Sequence, residues 1–119
     1  MEKTTEEPIC AAFSDGSLTV RVVGEVDHHS AGVLREKLDR QLYLYHPREF
    51  ILSLSGVSFM DSSGLGLILG RLAVCRHFGC TMRLCDADER MLRIFRLAGM
   101  ERISGLTVDG LSKERRDRQ

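Results

Sequence analysis

The sequence predicts an α/β domain with a mixed, largely parallel sheet, and three observations lead there. Apolar runs short enough for strands alternate with longer stretches whose apolar residues recur every three or four positions. The first two strand-like runs are joined at Asp15-Gly16, a dipeptide that accepts the positive φ of a tight hairpin turn, so the domain opens antiparallel. Each later strand is followed by a helix-length segment, which implies right-handed βα crossovers and parallel pairing. The 119 residues suffice for one such domain, and 43% hydrophobic with 29% charged residues is an ordinary globular composition.

Ile9 to Phe13 and Leu18 to Val26 form the hairpin. From His28 to about Tyr45, the apolar residues Ala31, Leu34, Leu38, Leu42 and Tyr45 repeat at helical spacing, and Asp27 stands where a cap would stand. Pro47 ends that helix, and Glu49 to Leu54 suits a central strand. A second helix starts near Ser62, turns Leu65, Ile68, Leu69, Leu72, Ala73 and Cys75 inward, and stops at Gly79. Thr81 to Cys85 alternates as a strand. Asp86-Ala87-Asp88-Glu89 then opens a third helix carrying Met91, Leu92, Phe95 and Ala98 and ending at Gly99. A last short strand falls near Arg102 to Val108. Residues 1–7 read as a flexible polar lead-in, 8–108 as the domain, and 109–119 as a charged tail.

Composition narrows the function. Seventeen basic residues balance seventeen acidic ones, so no bulk field draws the chain to nucleic acid or to a membrane surface, and any partner must be recognised locally. No apolar run approaches the roughly 20 residues of a membrane helix, and the start is polar, so a cytoplasmic address is expected. Cys10, Cys75, Cys80 and Cys85 are read as reduced thiols: a domain with this much aliphatic core needs no staples, and the spacing of the last three lacks the tight pair typical of zinc sites. No metal and no cofactor is expected.

The informative stretch is Val57-Ser58-Phe59-Met60-Asp61-Ser62-Ser63-Gly64-Leu65-Gly66, between the central strand and the second helix. Gly64, Gly66 and Gly70 fall in the first turns of that helix, where each is less favourable than alanine by about 1 kcal/mol. Gly66 and Gly70 share one face, which suits close approach by another backbone or by a partner protein. The helix N-terminus, with unpaired N–H groups and the positive end of the dipole, tolerates a phosphate at Ser62. By local chemistry alone, Asp61 or Ser62 could equally be a simple helix cap.

The string from Phe59 through Asp61-Ser62-Ser63-Gly64 to Gly70-Arg71 resembles the phosphorylation segment of bacterial anti-sigma factor antagonists of the STAS domain family. Upstream, Gly24-Glu25-Val26-Asp27-His28-His29-Ser30-Ala31 is similar to the family's loop between second strand and first helix, and the sporulation type is the nearer match. The resemblance implies a STAS domain over residues 8–108. It also implies that Ser62 is phosphorylated by the anti-sigma factor, itself an ATP-dependent serine kinase, and that Asp27, Asp61, Ser62, Ser63 and Gly64 contact that partner. The unphosphorylated form would bind the kinase and free its sigma factor, and a metal-dependent serine phosphatase would restore it; ATP and metal belong to those enzymes. The family usually ends in a further helix, whereas here Val108 to Ser112 runs into a charged tail with little apolar periodicity.

An enzyme is not expected. A nucleophile elbow needs glycine two residues before its serine, and Met60 stands there for Ser62. His28-His29 reads as a polar loop or helix start, since adjacent helical residues point about 100° apart. Within the family, the alternative is an antagonist or scaffold of a general stress-response pathway.

Overall fold

A computed structural model describes residues 7–111 of the chain. Its elements are β1 (Ile9–Ser14), β2 (Ser17–Val26), α1 (Ala31–Tyr45), β3 (Glu49–Met60), α2 (Ser62–Phe78), β4 (Thr81–Cys85), α3 (Glu89–Leu97), a 3-10 turn at Met100–Arg102, and β5 (Leu106–Val108). The five strands lie side by side in chain order, β1 antiparallel to β2 and the rest parallel. The hairpin turns at Asp15 (φ 53°) and Gly16 (φ 82°), so the dipeptide does adopt the left-handed backbone read from it.

Leu18, Val20 and Val22 on β2, Phe50, Leu52 and Leu54 on β3, and Met82 and Leu84 on β4 are all buried, while Thr19, Arg21, Thr81 and Arg83 between them are exposed. This period of two marks a sheet whose helices cover one face. Leu34, Leu38 and Leu42 of α1 and Ile68, Leu72 and Cys75 of α2 complete one continuous core.

Four expectations need correction. Helix α1 begins at Ala31 and not at His28, because the Asp27 carboxylate accepts from the backbone N–H groups of His29 and Ser30, at 2.9 Å each, and folds residues 28–30 into a turn first. Tyr45 does not face the core; it is 39% exposed and stacks on Phe13. On α2 the inward positions are Leu67, Ile68, Arg71, Leu72 and Cys75, while Leu69 is 40% exposed and Ala73 points outward. On α3, Met91, Leu92 and Phe95 are buried as expected, and Ala98 is exposed.

β3 is also longer than the expected run to Leu54. It continues to Met60 by pairing with β2 across two irregularities, Val23 with Gly56, Gly24 with Val57, Glu25 with Phe59 and Val26 with Met60. Gly56 is required there, since a Cβ would lie 2.8 Å from the Val22 carbonyl oxygen and 3.0 Å from the Arg21 guanidinium. β4 has the expected bounds. Helix α3 starts at the acidic cap, with Asp88 accepting from the Met91 N–H at 2.8 Å. β5 forms as a short strand at Leu106–Val108.

Cys75 and Cys80 are buried, Cys85 is half-buried and Cys10 is exposed, all as free thiols. Burial pushes the Cys75 and Cys80 thiols up. Among the described residues no helix is long and apolar enough to cross a membrane, and no group of three or more His, Cys, Asp or Glu side chains is placed to hold a metal ion. The expected lead-in and charged tail lie largely outside the described residues.

Candidate functional site

Parallel strands joined by helices force polarity on the domain: each helix after a parallel strand runs back along the sheet. The N-termini of α1, α2 and α3 therefore gather at the end where β2, β3 and β4 finish. Ligand sites of open α/β sheets commonly form at that end, and the residues singled out from the sequence are there.

Asp61 is the N-cap of α2. Its backbone is extended (φ −111°, ψ −167°), and its carboxylate accepts from the Ser63 N–H at 2.8 Å, while its carbonyl accepts from the Gly64 N–H at 2.9 Å. Ser62 is then the first helical residue and its side chain is exposed. Among the described residues none hydrogen-bonds the Ser62 hydroxyl, so the fold makes no use of it. Asp61 is the cap and Ser62 is not, which separates two roles that the sequence left open.

The Asp27 loop reaches the same place through the strands. Val26 pairs with Met60 in the parallel register, and the Asp61 N–H donates to the Val26 carbonyl at 3.2 Å. Asp27 and Asp61 are thus the next residues beyond the ends of neighbouring strands, whose spacing is about 4.8 Å. The Asp27 carboxyl is held below the usual carboxylate range, first by the Ser30 N–H and also by that of His29. Ser30 locks the turn from the other side: its hydroxyl donates to the Glu25 carbonyl at 2.8 Å and accepts from the Asp27 N–H at 3.0 Å.

Gly64 differs from the others in being buried. A Cβ there would fall 2.5 Å from Cγ and 2.6 Å from Sδ of Met60, itself 6% exposed, so Gly64 seats α2 on the end of β3. His28 and His29 sit in the exposed turn with their rings 5.8 Å apart, edge to face, and among the described residues no third His, Cys, Asp or Glu joins them in a metal-binding group.

Below Ser63, α1 and α2 part to leave an open groove of about 370 Å³, bordered by Gly32, Arg35, Ser63, Gly66, Gly70 and Arg71 among others. Arg71 is 6% exposed, and its Nε lies 2.8 Å from Asp39 Oδ1 on α1. An added Cβ at Gly32, Gly66 or Gly70 would meet nothing within 4 Å. Among the described residues no other backbone approaches Gly66 or Gly70, and of the two expected occupants, another backbone or a partner protein, the first is not found there.

The STAS domain family model matches residues 9–112. The chain belongs to the STAS domain family. Among its relatives, the STAS domain is 38% identical to the "Anti-sigma F factor antagonist" of Paenibacillus polymyxa over 88 residues, 74% of this chain and 75% of that protein. It is 33% identical to the "Anti-sigma-B factor antagonist" of Bacillus subtilis (strain 168) over 95 residues, 80% of this chain and 85% of the relative. Among solved structures it superposes on "the Bacillus Cell Fate Determinant SpoIIAA in the Phosphorylated Form" with a TM-score of 0.64 and 25% identity, covering 84% of this chain and 89% of that one.

The sequence reading did not single out Arg35, Gly32 or the ion pair of Asp39 with Arg71 in this STAS domain. Arg71 carried one signal: it stands three residues after Ile68 and one before Leu72, on the buried face, where a charge demands a partner. Its partner lies on another helix and 32 positions away, 71 less 39, so spacing could not supply it.

Proposed function

We propose that this STAS domain is an anti-sigma factor antagonist that binds its anti-sigma factor, a serine protein kinase, in the unphosphorylated form and so frees the sigma factor. Phosphorylation of Ser62 by that kinase ends the interaction, and a serine phosphatase restores it. The observation that carries this reading is the exposed Ser62 hydroxyl, unused by the fold, at the first position of α2 beside the Asp27 turn. Relatives named as anti-sigma F and anti-sigma-B factor antagonists support it, as does the likeness to SpoIIAA, which has been solved in a phosphorylated form.

A phosphate on Ser62 adds roughly −1.5 to −2 charges at neutral pH, next to Asp61 and close to Asp27. Because Ser62 is exposed, the charge is solvated in the free protein and the domain stays folded. A partner that covers Ser62 must strip that solvation or meet the charge with its own groups, and burying an unpaired charge is unfavourable by several kcal/mol. The switch therefore acts on the complex and not on the fold. In this scheme the domain is the substrate of the kinase, which activates the Ser62 hydroxyl for attack. A regulator of this kind works in the cytoplasm, without membrane or direct nucleic-acid contact.

Incubation with the cognate kinase and ATP should add one phosphate by intact-mass measurement, and Ser62→Ala should abolish the gain. Phosphate retained in Ser62→Ala and lost in Ser63→Ala would move the site by one residue. The similarity to an anti-sigma-B factor antagonist supports a second reading, a general stress-response pathway. Binding to the purified kinases of both kinds separates the two.

A further inference from the structure

We infer that the groove between α1 and α2 seats an acidic side chain of the anti-sigma factor, received by Arg35 and Arg71 above a floor of glycine. The inference rests on the antagonist reading and extends the contact surface from Ser62 down the helix pair.

Charge is the first reason. The groove lining carries two cations and no acid. Arg71 is almost wholly buried and its Nε lies 2.8 Å from Asp39 Oδ1, an ion pair whose angle falls short of a well-aligned hydrogen bond. Buried charges are normally both paired and hydrogen-bonded, and one that is not calls for an explanation. Burial outweighs the support of Asp39, Arg35 adds like-charge repulsion, and the Arg71 guanidinium is held below its ordinary range. Asp39 offsets the charge of Arg71, but among the described residues no acid lines the groove beside Arg35, so a carboxylate entering between Arg35 and Arg71 would meet a net positive lining and form charge-assisted hydrogen bonds.

Shape is the second. Gly66 and Gly70 weaken α2 without relieving any contact among the described residues, since a Cβ at either would point into open space. Gly32 leaves the facing wall of α1 equally bare. Missing side chains on both walls let a partner's backbone come close enough for a short acidic side chain to reach the arginines. Continuity is the third: Ser63, next to the exposed Ser62, borders the groove, so a protein lying over Ser62 also lies over its mouth.

The test is the affinity of the unphosphorylated full chain for its cognate kinase, with variants Gly66→Leu, Gly70→Leu, Arg35→Ala and Arg35→Glu. Leucine favours a helix over glycine by up to about 1 kcal/mol, so the glycine variants should melt no lower than the parent. Their Kd should nevertheless rise at least about tenfold, because the floor is filled. Arg35→Ala should weaken binding and flatten its dependence on salt, and Arg35→Glu should weaken it further. A kinase variant with one acid of its contact surface changed to lysine should restore binding to Arg35→Glu.

Unchanged affinity and salt dependence in stably folded variants would overturn the inference while leaving the antagonist reading intact. Saturable binding of inorganic phosphate or ATP to the chain alone, shifting the Gly66 and Gly70 amide resonances and competing with the kinase, would assign the groove to a small anion instead. Failure of the parent chain to bind any such kinase would remove the antagonist reading and this inference together.

Discussion

The two ends of the sheet use the same strands and helices to opposite effect. Where β2 and β3 finish, α2 begins with an aspartate cap, an exposed serine and a glycine-lined groove. Where they start, α1 and α2 finish among rings: Phe13 stacks on Tyr45 at 4.6 Å, and Phe78 meets Tyr43 at 5.1 Å and His46 at 4.4 Å between centroids. Both helices close there with left-handed caps, His46 (φ 44°) and Gly79 (φ 75°), whose N–H groups satisfy carbonyls of the last turn. Helix polarity explains the division. One end presents N–H groups and a positive field suited to an anion, and the other presents carbonyls that the chain caps and packs for stability.

Substitutions at the two ends should therefore separate binding from folding. The largest effect belongs to Ser62→Asp, which should weaken kinase binding by on the order of 100-fold, as expected when an unpaired charge must be buried, with an unchanged melting temperature. Equal affinity for parent and variant in a titration would remove the electrostatic basis of the division. Phe78→Ala should do the reverse, lowering stability by about 2 kcal/mol through lost ring packing while kinase affinity holds. Denaturant unfolding beside the same titration measures both.

Asp61→Ala probes the boundary between the two behaviours. Loss of the cap on Ser63 should destabilise by about 1 kcal/mol and also loosen the first turn that presents Ser62, so stability and phosphorylation rate fall together. A fall in one alone would show that cap and switch are independent. The smallest effect concerns Asp27. Its carboxyl is depressed in the folded state, so its contribution is fully present above the unfolded value near 3.9 and is lost as pH falls through the lower folded value. The Ser30 amide resonance should titrate with a midpoint below that of a free aspartate, and a midpoint at or above it would contradict the turn geometry.

Much of the fold was legible because local signals and tertiary structure agree. The hairpin at Asp15-Gly16, the strand Thr81–Cys85 and the Asp88 cap all rest on contacts within a few residues. The departures have one cause each. The central strand was expected to end at Leu54, but ladder bonds to β2 carry it past Ser55, Gly56 and Ser58 to Met60. Helix α2 has leucine or isoleucine at 65, 67, 68, 69 and 72, so its apolar residues surround the axis, and tertiary packing chose Leu67 over Leu69. The segment Asp61 to Gly64 was recognisable as a string, yet which residue caps and which stays free could only be seen in the hydrogen bonds. The cation pair of the groove comes from two helices and had no pattern along the chain.

The distribution of thiols has a practical consequence. Cys10 stands exposed on β1, whereas Cys75 and Cys80 are enclosed at the junction of α2 and β4, with thiols that burial keeps protonated at neutral pH. An alkylating reagent will mark the edge strand at once and reach the interior pair only in molecules that have opened. The chain thus contains its own clock for opening, and the rate at which the inner thiols are trapped, with and without phosphate on Ser62, reads directly whether the switch leaves the interior undisturbed.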